Sequence, residues 1–444
     1  MLRTLIAAGA ILTASQSFAA GHAENRIDGQ RPDAPELAAP GDMAVGVRTL
    51  TLTNPGQIDL MAVSAAEPLP DPVPTYDRPL TVEVWYPAAA DATGATTYEA
   101  TIRDGVTKVT LHGSAMRDAA PADGTWPLVI LSHGYPGNRY IMSHLGENLA
   151  SKGYVVASID HTDSIYEHAA SFSPVTFGST LVNRSYDQLF VLDEMARLSE
   201  GDGFLSGRVD AANTAIVGYS MGGYGALIYG GAGVTQGSTE YSWGTPRGLL
   251  AEHLAGSDTH AKLSDDPRLK AVIAIGPWGR NTAFWDAGGL SGFSRPLMVM
   301  AGGVDDVSQY PALRAIFDET TGTDRHLLTF NHANHNAAAP VPAPAESYAE
   351  VEGMDFNPSE HYTDAVWDNV RMNNIAQHFA TAFMDLHVKG DADKAAYLDL
   401  IPVSDEGVSS LNEDATPKED HTFWHGFKPR AAAGLRFETK SKGE

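Results

Sequence analysis

Hydrophobic positions follow three rhythms along the chain. Early segments alternate: in "PLTVEVWYPA" (79–88), Leu80, Val82, Val84 and Tyr86 interleave with Thr81, Glu83 and Trp85, and "AVGVRTLTLT" (44–53) is similar. Alternation marks strands with one solvated face, so these two segments are expected at an antiparallel edge. Downstream the apolar runs become continuous: "PLVILSHG" (127–134), "YVVASID" (154–160), "TAIVGYS" (214–220), "LKAVIAIG" (269–276), "PLMVMAGG" (296–303) and "RHLLTF" (325–330). Strands without alternation are buried on both faces, as in a parallel sheet covered by helices. The third rhythm is helical and falls between the runs. Ile141, Leu145 and Leu149 repeat at helical spacing, "SYDQLFVLDEMARLSE" (185–200) and "QYPALRAIFDET" (309–320) fill two further crossovers, and Met372, Ile375, Phe379, Phe383 and Leu386 form a closing stripe. The order predicts an α/β fold: a doubly wound, mostly parallel sheet of about eight strands.

Composition adds boundaries to this picture. Residues 1–20, "MLRTLIAAGAILTASQSFAA", place Arg3 before an apolar stretch and small residues before the end, the layout of a secretory signal peptide. The apolar stretch is too short to span a bilayer, which takes roughly 18 or more apolar residues. Residues 21–42 are polar, proline-bearing and aperiodic, and are expected to form a flexible terminus; residues 43–444 then read as one domain. Three connections, 161–184, 229–268 and 336–361, exceed ordinary loop length and are expected to act as cap-like insertions around a cleft entrance. A net charge of −25 argues against nucleic-acid or anionic-membrane partners, which require local positive potential. The absence of cysteine excludes disulfides, a thiol nucleophile and thiolate metal ligation. A periplasmic or secreted protein fits these features, with its oligomeric state open.

Open α/β sheets place ligands beyond the carboxyl ends of their strands. The residues there are His133-Gly134-Tyr135-Pro136-Gly137, then Ser220, then Gly276-Pro277-Trp278, then Gly302-Gly303-Val304-Asp305-Asp306, then "NHANH" (331–335). Ser220 stands in Gly218-Tyr219-Ser220-Met221-Gly222, the Gly-x-Ser-x-Gly of a nucleophile elbow when it joins a buried strand to a helix. A serine hydroxyl needs a base to take its proton and a carboxylate to orient that base. Asp305 and His335 complete that set in chain order; Asp306 competes for the acid and His332 for the base. Met221 N–H and a donor on the 134–137 loop, assigned to Tyr135, would form an oxyanion hole. Trp278 either walls an acyl pocket with Tyr135 and Met221 or simply packs. His133 and His161 read as hydrogen-bonded structural histidines. Neither a cofactor nor a metal is called for, although "HANH" leaves a metal-binding reading as a rival, alongside an amidase or peptidase and a non-catalytic protein of the same fold.

The stretch "HGYPGNRYIMSHLGENLASKGYVVASIDHTDS" (133–164) with "RVDAANTAIVGYSMGG" (208–223) resembles the bacterial relatives of platelet-activating-factor acetylhydrolase, often described as dienelactone hydrolases. The likeness extends through "VEVWYPA" (82–88) and "WDNVRMNNIAQHF" (367–379). It implies an α/β-hydrolase fold and a serine carboxylesterase acting through an acyl-enzyme, with Ser220 as nucleophile, His335 as base, and Tyr135 and Met221 as oxyanion donors. The eukaryotic acetylhydrolases carry their acid after the strand that follows the nucleophile helix, where "VIAIGPWGR" has no carboxylate. Asp305 instead matches the later position used by bacterial cutinases and polyester hydrolases. That branch also resembles this chain in Gly134-Tyr135 and Pro277-Trp278, which implies Tyr135 and Trp278 as substrate contacts and short-acyl, aromatic or polyester-type esters as substrates.

Overall fold

The structure, a computed structural model, describes residues 25–65, 69–169, 173–240, 248–414 and 416–444. The region read as a signal peptide lies outside the described residues. The strands are β1 (Val45–Ile58), β2 (Thr75–Pro87), β3 (Thr97–Thr101), β4 (Lys108–His112), β5 (Met116–Arg117), β6 (Trp126–Ser132), β7 (Val155–Asp160), β8 (Val209–Tyr219), β9 (Leu269–Ile275), β10 (Leu297–Gly302), β11 (Arg325–Phe330) and β12 (Leu435–Lys440). Five helices matter here: α1 (Ser143–Ser151), α2 (Pro174–Glu200), α3 (Met221–Tyr229), α4 (Tyr310–Glu319) and α5 (Asn369–His387).

One ten-stranded sheet runs in the spatial order β12-β11-β10-β9-β8-β6-β7-β2-β1-β5, while β3 and β4 form a separate hairpin. The six continuous apolar runs are its parallel centre, β6 to β11. Successive side chains of each strand enter opposite cores: Val129, Leu131, Val217, Ile273 and Met300 pack with α1 and α5 on one face. Leu128, Ile130, Ile216, Val272 and Val299 pack with α2, α3 and α4 on the other. Each such fully buried aliphatic side chain stabilises the fold by about 1.5–3 kcal/mol, which is why two covered faces demand unbroken apolar sequence. Strand order reverses at β6: β7 lies on one side of it and β8 on the other, so a crevice opens above the carboxyl ends of β6 and β8.

Four expectations change. The sheet has ten strands rather than about eight. β12 pairs antiparallel with β11, and its Leu435 and Phe437 enter the core while Glu438 faces Arg314. β5 adds two residues beside β1. β2 is internal, not an edge: Trp85 is sealed in the core, and Glu83 is sealed with Arg117 and Arg139 paired to its carboxylate. A buried ion pair removes the link between polarity and exposure on which the alternation argument rests. Helix α2 begins at Pro174, eleven residues before Ser185, since Ser173 is its N-cap and Pro174 suits the first helical turn.

Residues 25–42, read as a flexible terminus, are strapped to the sheet's helices. Arg31 N–H donates to Asn374 (2.9 Å), Leu37 N–H to His378 Nδ1 (3.1 Å) and Gly41 N–H to Ser151 (2.8 Å), with Ile27 and Ala38 buried. A polar strap can be held by hydrogen bonds from a helix face without any periodicity of its own.

Candidate active site

The sequence Gly218-Tyr219-Ser220-Met221-Gly222 forms the junction of β8 and α3. Ser220 has φ 52° and ψ −112°, a conformation that L-residues adopt only when the surroundings impose it. Two close approaches impose it. A Cβ on Gly218 would lie 2.3 Å from the Gly222 carbonyl oxygen, and one on Gly222 would lie 1.9 Å from the carbonyl oxygen of Ser132. Only glycine permits the helix to start so near the strand ends. Backbone bonds hold the turn: Ser220 N–H donates to Ile275 O (2.8 Å), and Ser220 O accepts from Trp278 N–H (3.2 Å) and Tyr224 N–H (3.0 Å).

Asp305 and His335 meet over the ends of β10 and β11. His335 Nδ1 lies 2.7 Å from Asp305 Oδ2, with the carboxylate sealed from solvent and the imidazole slightly open. Asp305 Oδ1 accepts from the N–H groups of Val307 (2.9 Å) and Ser308 (2.7 Å), which fix the carboxylate's orientation. Gly276, at φ 50° after β9, leaves space for the pair: a Cβ there would sit 3.1 Å from His335 Cε1. The Tyr219 ring supports the imidazole at 5.2 Å between centroids.

Ser220 and His335 line one cleft of about 530 Å³, together with Gly134, Tyr135, Asp306 and His361. The alternatives left open by sequence are therefore distinguished by placement. Asp306 is exposed on the cleft wall, whereas Asp305 is buried against His335. His332 lines a different cavity with Arg314 and Arg436, so the two histidines of "HANH" diverge.

Tyr135 borders the cleft on the loop after β6, its hydroxyl bonded to Thr176 Oγ1 and its ring edge-on to Phe177. Met221 opens α3, and a first-turn N–H has no partner within its own helix. The Met221 side chain is buried in the core, and the Trp278 ring packs on Phe177, Tyr224 and Phe284; among the described residues neither is part of the cleft lining. His133 and His161 are structural, as expected: His133 Nδ1 donates to Gly134 O, and His161 N–H donates to His133 Nε2. Burial, with the nearby Arg184 charge, holds both far below the usual histidine range.

Sequence reasoning missed three parts of the wall. Asn336 accepts from Tyr219 and donates to the carbonyls of Glu360 and Thr363, tying the 336–361 connection to the cleft. His361 is half-buried there, its pKa pushed down to about 3 by desolvation and then by the charges of Arg103 and His335. Arg103 reaches the cleft from the turn of the β3–β4 hairpin. Nothing in the local sequence links this hairpin to strand ends tens of residues away.

Residues 74–175 match the family model of platelet-activating factor acetylhydrolase, isoform II. Among characterised relatives, Cutinase est1 of Thermobifida alba is 25% identical over 217 residues, covering 48% of this chain and 55% of that protein. The bis(hydroxyethyl) terephthalate hydrolase of Streptomyces coelicolor is 23% identical over 225 residues, covering 50% of this chain and 54% of that protein. The chain thus spans about half the length of these relatives. The solved structure of a ferulic acid esterase from Streptomyces cinnamoneus superposes with a TM-score of 0.54 at 22% identity, covering 80% of this chain and 94% of that one. Sheet order, family match and relatives agree that the chain is an α/β-hydrolase-fold protein, similar over part of its length to the platelet-activating factor acetylhydrolase isoform II family and to bacterial cutinases.

Proposed function

We propose that the protein hydrolyses carboxylic esters through an acyl-enzyme. The observation that carries this reading is the Asp305–His335 pair, 2.7 Å apart, in the same cleft as a serine held at positive φ. Ser220 Oγ attacks the ester carbonyl while His335 takes its proton. Asp305 keeps Nδ1 protonated, so that Nε2 is the accepting nitrogen, and stabilises the imidazolium that forms. The N–H groups of Met221 and Tyr135 face the developing oxyanion. His335 then returns the proton to the leaving alcohol, and a water activated by the same imidazole releases the acid.

The relatives named for cutinase and terephthalate-ester hydrolysis support an ester as the scissile bond, with aromatic or polyester-type acyl groups among the substrates. Residues 1–20 support an exported protein working in the periplasm or the medium, and among the described residues no helix is long and apolar enough to cross a membrane. The test is hydrolysis of p-nitrophenyl butyrate by the wild type and by Ser220→Ala. Loss of roughly 10⁴-fold or more is expected for removal of a triad nucleophile; undiminished turnover by the variant would falsify the assignment.

A further inference from the structure

His332, the first histidine of "HANH", has no role in the proposed acyl transfer and borders a cavity of its own. That cavity, of about 490 Å³, lies where the β11–β12 edge of the sheet meets α4. Strand register builds its walls. Thr329 of β11 stands opposite Arg436 of β12, and Glu438 follows on the same face, while Leu435 and Phe437 enter the core. Helix α4 covers the polar face: the Tyr310 hydroxyl lies 3.1 Å from Thr329 Oγ1, and Arg314 donates to both oxygens of Glu438 (2.6 and 2.7 Å). Asn331 and His332 line the carboxyl end. Asn331 N–H donates to Gly434 O (2.9 Å), and its carbonyl accepts from Trp367 Nε1 (2.7 Å). His332 is held at φ 63°, which a residue other than glycine adopts only under constraint.

The charge of this cavity runs against that of the chain. The net charge is −25, yet among the described residues that line the cavity none is acidic and two are arginines. Both guanidiniums converge on a single oxygen, Glu438 Oε1, at 2.6 Å from Arg314 and 3.8 Å from Arg436. The first is half of a bidentate pair; the second is too long for a hydrogen bond. Asp318 brings no relief to Arg436, since it holds Lys440 (2.6 Å) and lies 3.8 Å from Arg314 Nε. Arg314, Arg436 and Lys440 thus share two carboxylates, and the surplus positive charge falls on Arg436. Its Nε is also buried, with no hydrogen-bond acceptor among the described residues. Buried donors are nearly always paired, so this one calls for an acceptor from outside the chain.

We propose that this cavity binds a phosphate-type oxyanion, with Arg436 as its principal ligand and the neutral donors of Thr329, Tyr310, Asn331 and His332 around it. A planar carboxylate is satisfied by one guanidinium fork, whereas a cation flanked by neutral donors from two strands, a helix and a loop suits the several faces of a tetrahedral oxyanion. The volume admits the free ion or a phosphate carried on a small organic group. The loops at the carboxyl end are those that carry Asp305 and His335. Gly303 N–H donates to Phe330 O (2.8 Å) and Val304 N–H to Ala333 O (3.0 Å), so an ion held against Gly303, Val304 and His332 braces both loops at once. The site stands apart from the hydrolase reading, and neither depends on the other.

The experiment titrates the full chain with inorganic phosphate and, in parallel, with glycerol 3-phosphate, at neutral pH and with ionic strength held constant by sodium chloride. Binding is read by calorimetry and by Tm. The wild type is expected to bind saturably and to gain Tm with ligand concentration, as it does for a ligand that binds only the folded state. Arg436→Gln should weaken binding roughly tenfold or more, as loss of a charged hydrogen-bonded partner does, and Arg436→Lys should recover part of that, because charge returns without the fork. Equal affinity for the two ligands means that the site reads the oxyanion alone, and tighter glycerol 3-phosphate means that the organic group is held as well; both uphold the site. Absence of saturable binding by either ligand, or binding that Arg436→Gln leaves unchanged, overturns it. Arg436 is partly exposed and outside the core, and the wild-type titration needs no variant to fold.

Discussion

Two Ser-His-Asp sets flank the loop after β6, and only one of them faces a cleft. In the sealed set, Ser132 Oγ and His161 Nε2 are 2.8 Å apart, and His161 Nδ1 is 2.8 Å from Asp187 Oδ2. By residue type it matches the Ser220, His335 and Asp305 set, and its histidine is held by its carboxylate at a similar distance. It differs in three physical respects. Ser132 ends a regular strand and is fully buried, with Gln188 Nε2 donating to its hydroxyl (3.0 Å). Asp187 is clamped by Arg78 through Nε (2.8 Å) and Nη2 (3.0 Å), so its charge already has a permanent partner. His161, deprived of water, is held far below the ordinary imidazole range. Asp305, in contrast, is held by neutral N–H groups and leaves its charge for His335. In the proposed reading, hydrogen-bond order alone does not make a catalytic set; a strained hydroxyl on a cleft wall and a carboxylate uncommitted to another charge do.

The sealed set is tied to the loop after β6. His161 N–H bonds His133, and Arg184 Nη1 donates to His133 O (2.7 Å) while its stem packs under Gly225 of α3. The loop that carries Tyr135 is thereby joined to the helix that follows Ser220.

The sharpest way to break the comparison is at the two acids. Asp305→Asn should lower kcat roughly 10⁴-fold, the effect of losing the orienting carboxylate in such a triad, whereas Asp306→Asn should leave turnover of neutral esters nearly intact. Equal losses in the two variants, measured on p-nitrophenyl butyrate, would reverse their roles. Next in size, Asp187→Asn leaves the buried Arg78 with Asp163 as its remaining carboxylate beside the neutral Tyr76 hydroxyl, and is expected to cost about 3–5 kcal/mol of stability, read by denaturant unfolding. Ser132→Ala should cost about 1–3 kcal/mol, because Gln188 and His161 lose their partner, while kcat stays within roughly tenfold of wild type. A catalytic collapse in Ser132→Ala, matching that of Ser220→Ala, would show that the sealed set is chemical after all.

The smallest effect per residue is in pH. His161 and His133 are held well below their ordinary value, and burial pushes His378 and His361 down to about 3. In the unfolded chain each titrates near 6.5, so below that pH the unfolded state binds protons that the folded state refuses. Stability therefore falls as pH falls, by about 1.4 kcal/mol per pH unit for each such histidine, from near pH 6.5 down to its folded-state pKa. Thermal unfolding between pH 7 and 5 should show a declining Tm, and His378→Gln should flatten the decline.

Much of the site was legible because it follows from local rules. Continuous apolar runs marked the parallel strands, and residues just past them include Ser220, Asp305 and His335. The sequence names Asp305 as the acid, with Asp306 as its competitor; the backbone turn that gives Oδ1 to Val307 and Ser308 supplies a direction that adjacent identical residues cannot express. Glu83 misled for a related reason: its exposure depends on Arg117 and Arg139, distant in sequence. Arg103 was invisible because a polar hairpin outside the sheet has no periodic tie to the strand ends it overhangs.

By itself, then, the sequence determined the α/β order, the elbow that its glycines permit and the residue types able to perform acyl transfer, because backbone sterics and burial act over short spans. Only the tertiary structure decided which of two Ser-His-Asp sets borders a cleft, which carboxylate lies against His335 and which distant segments meet at the cleft wall. Those depend on burial and on pairing between distant segments, and a buried charge takes its character from the partner that packing assigns to it.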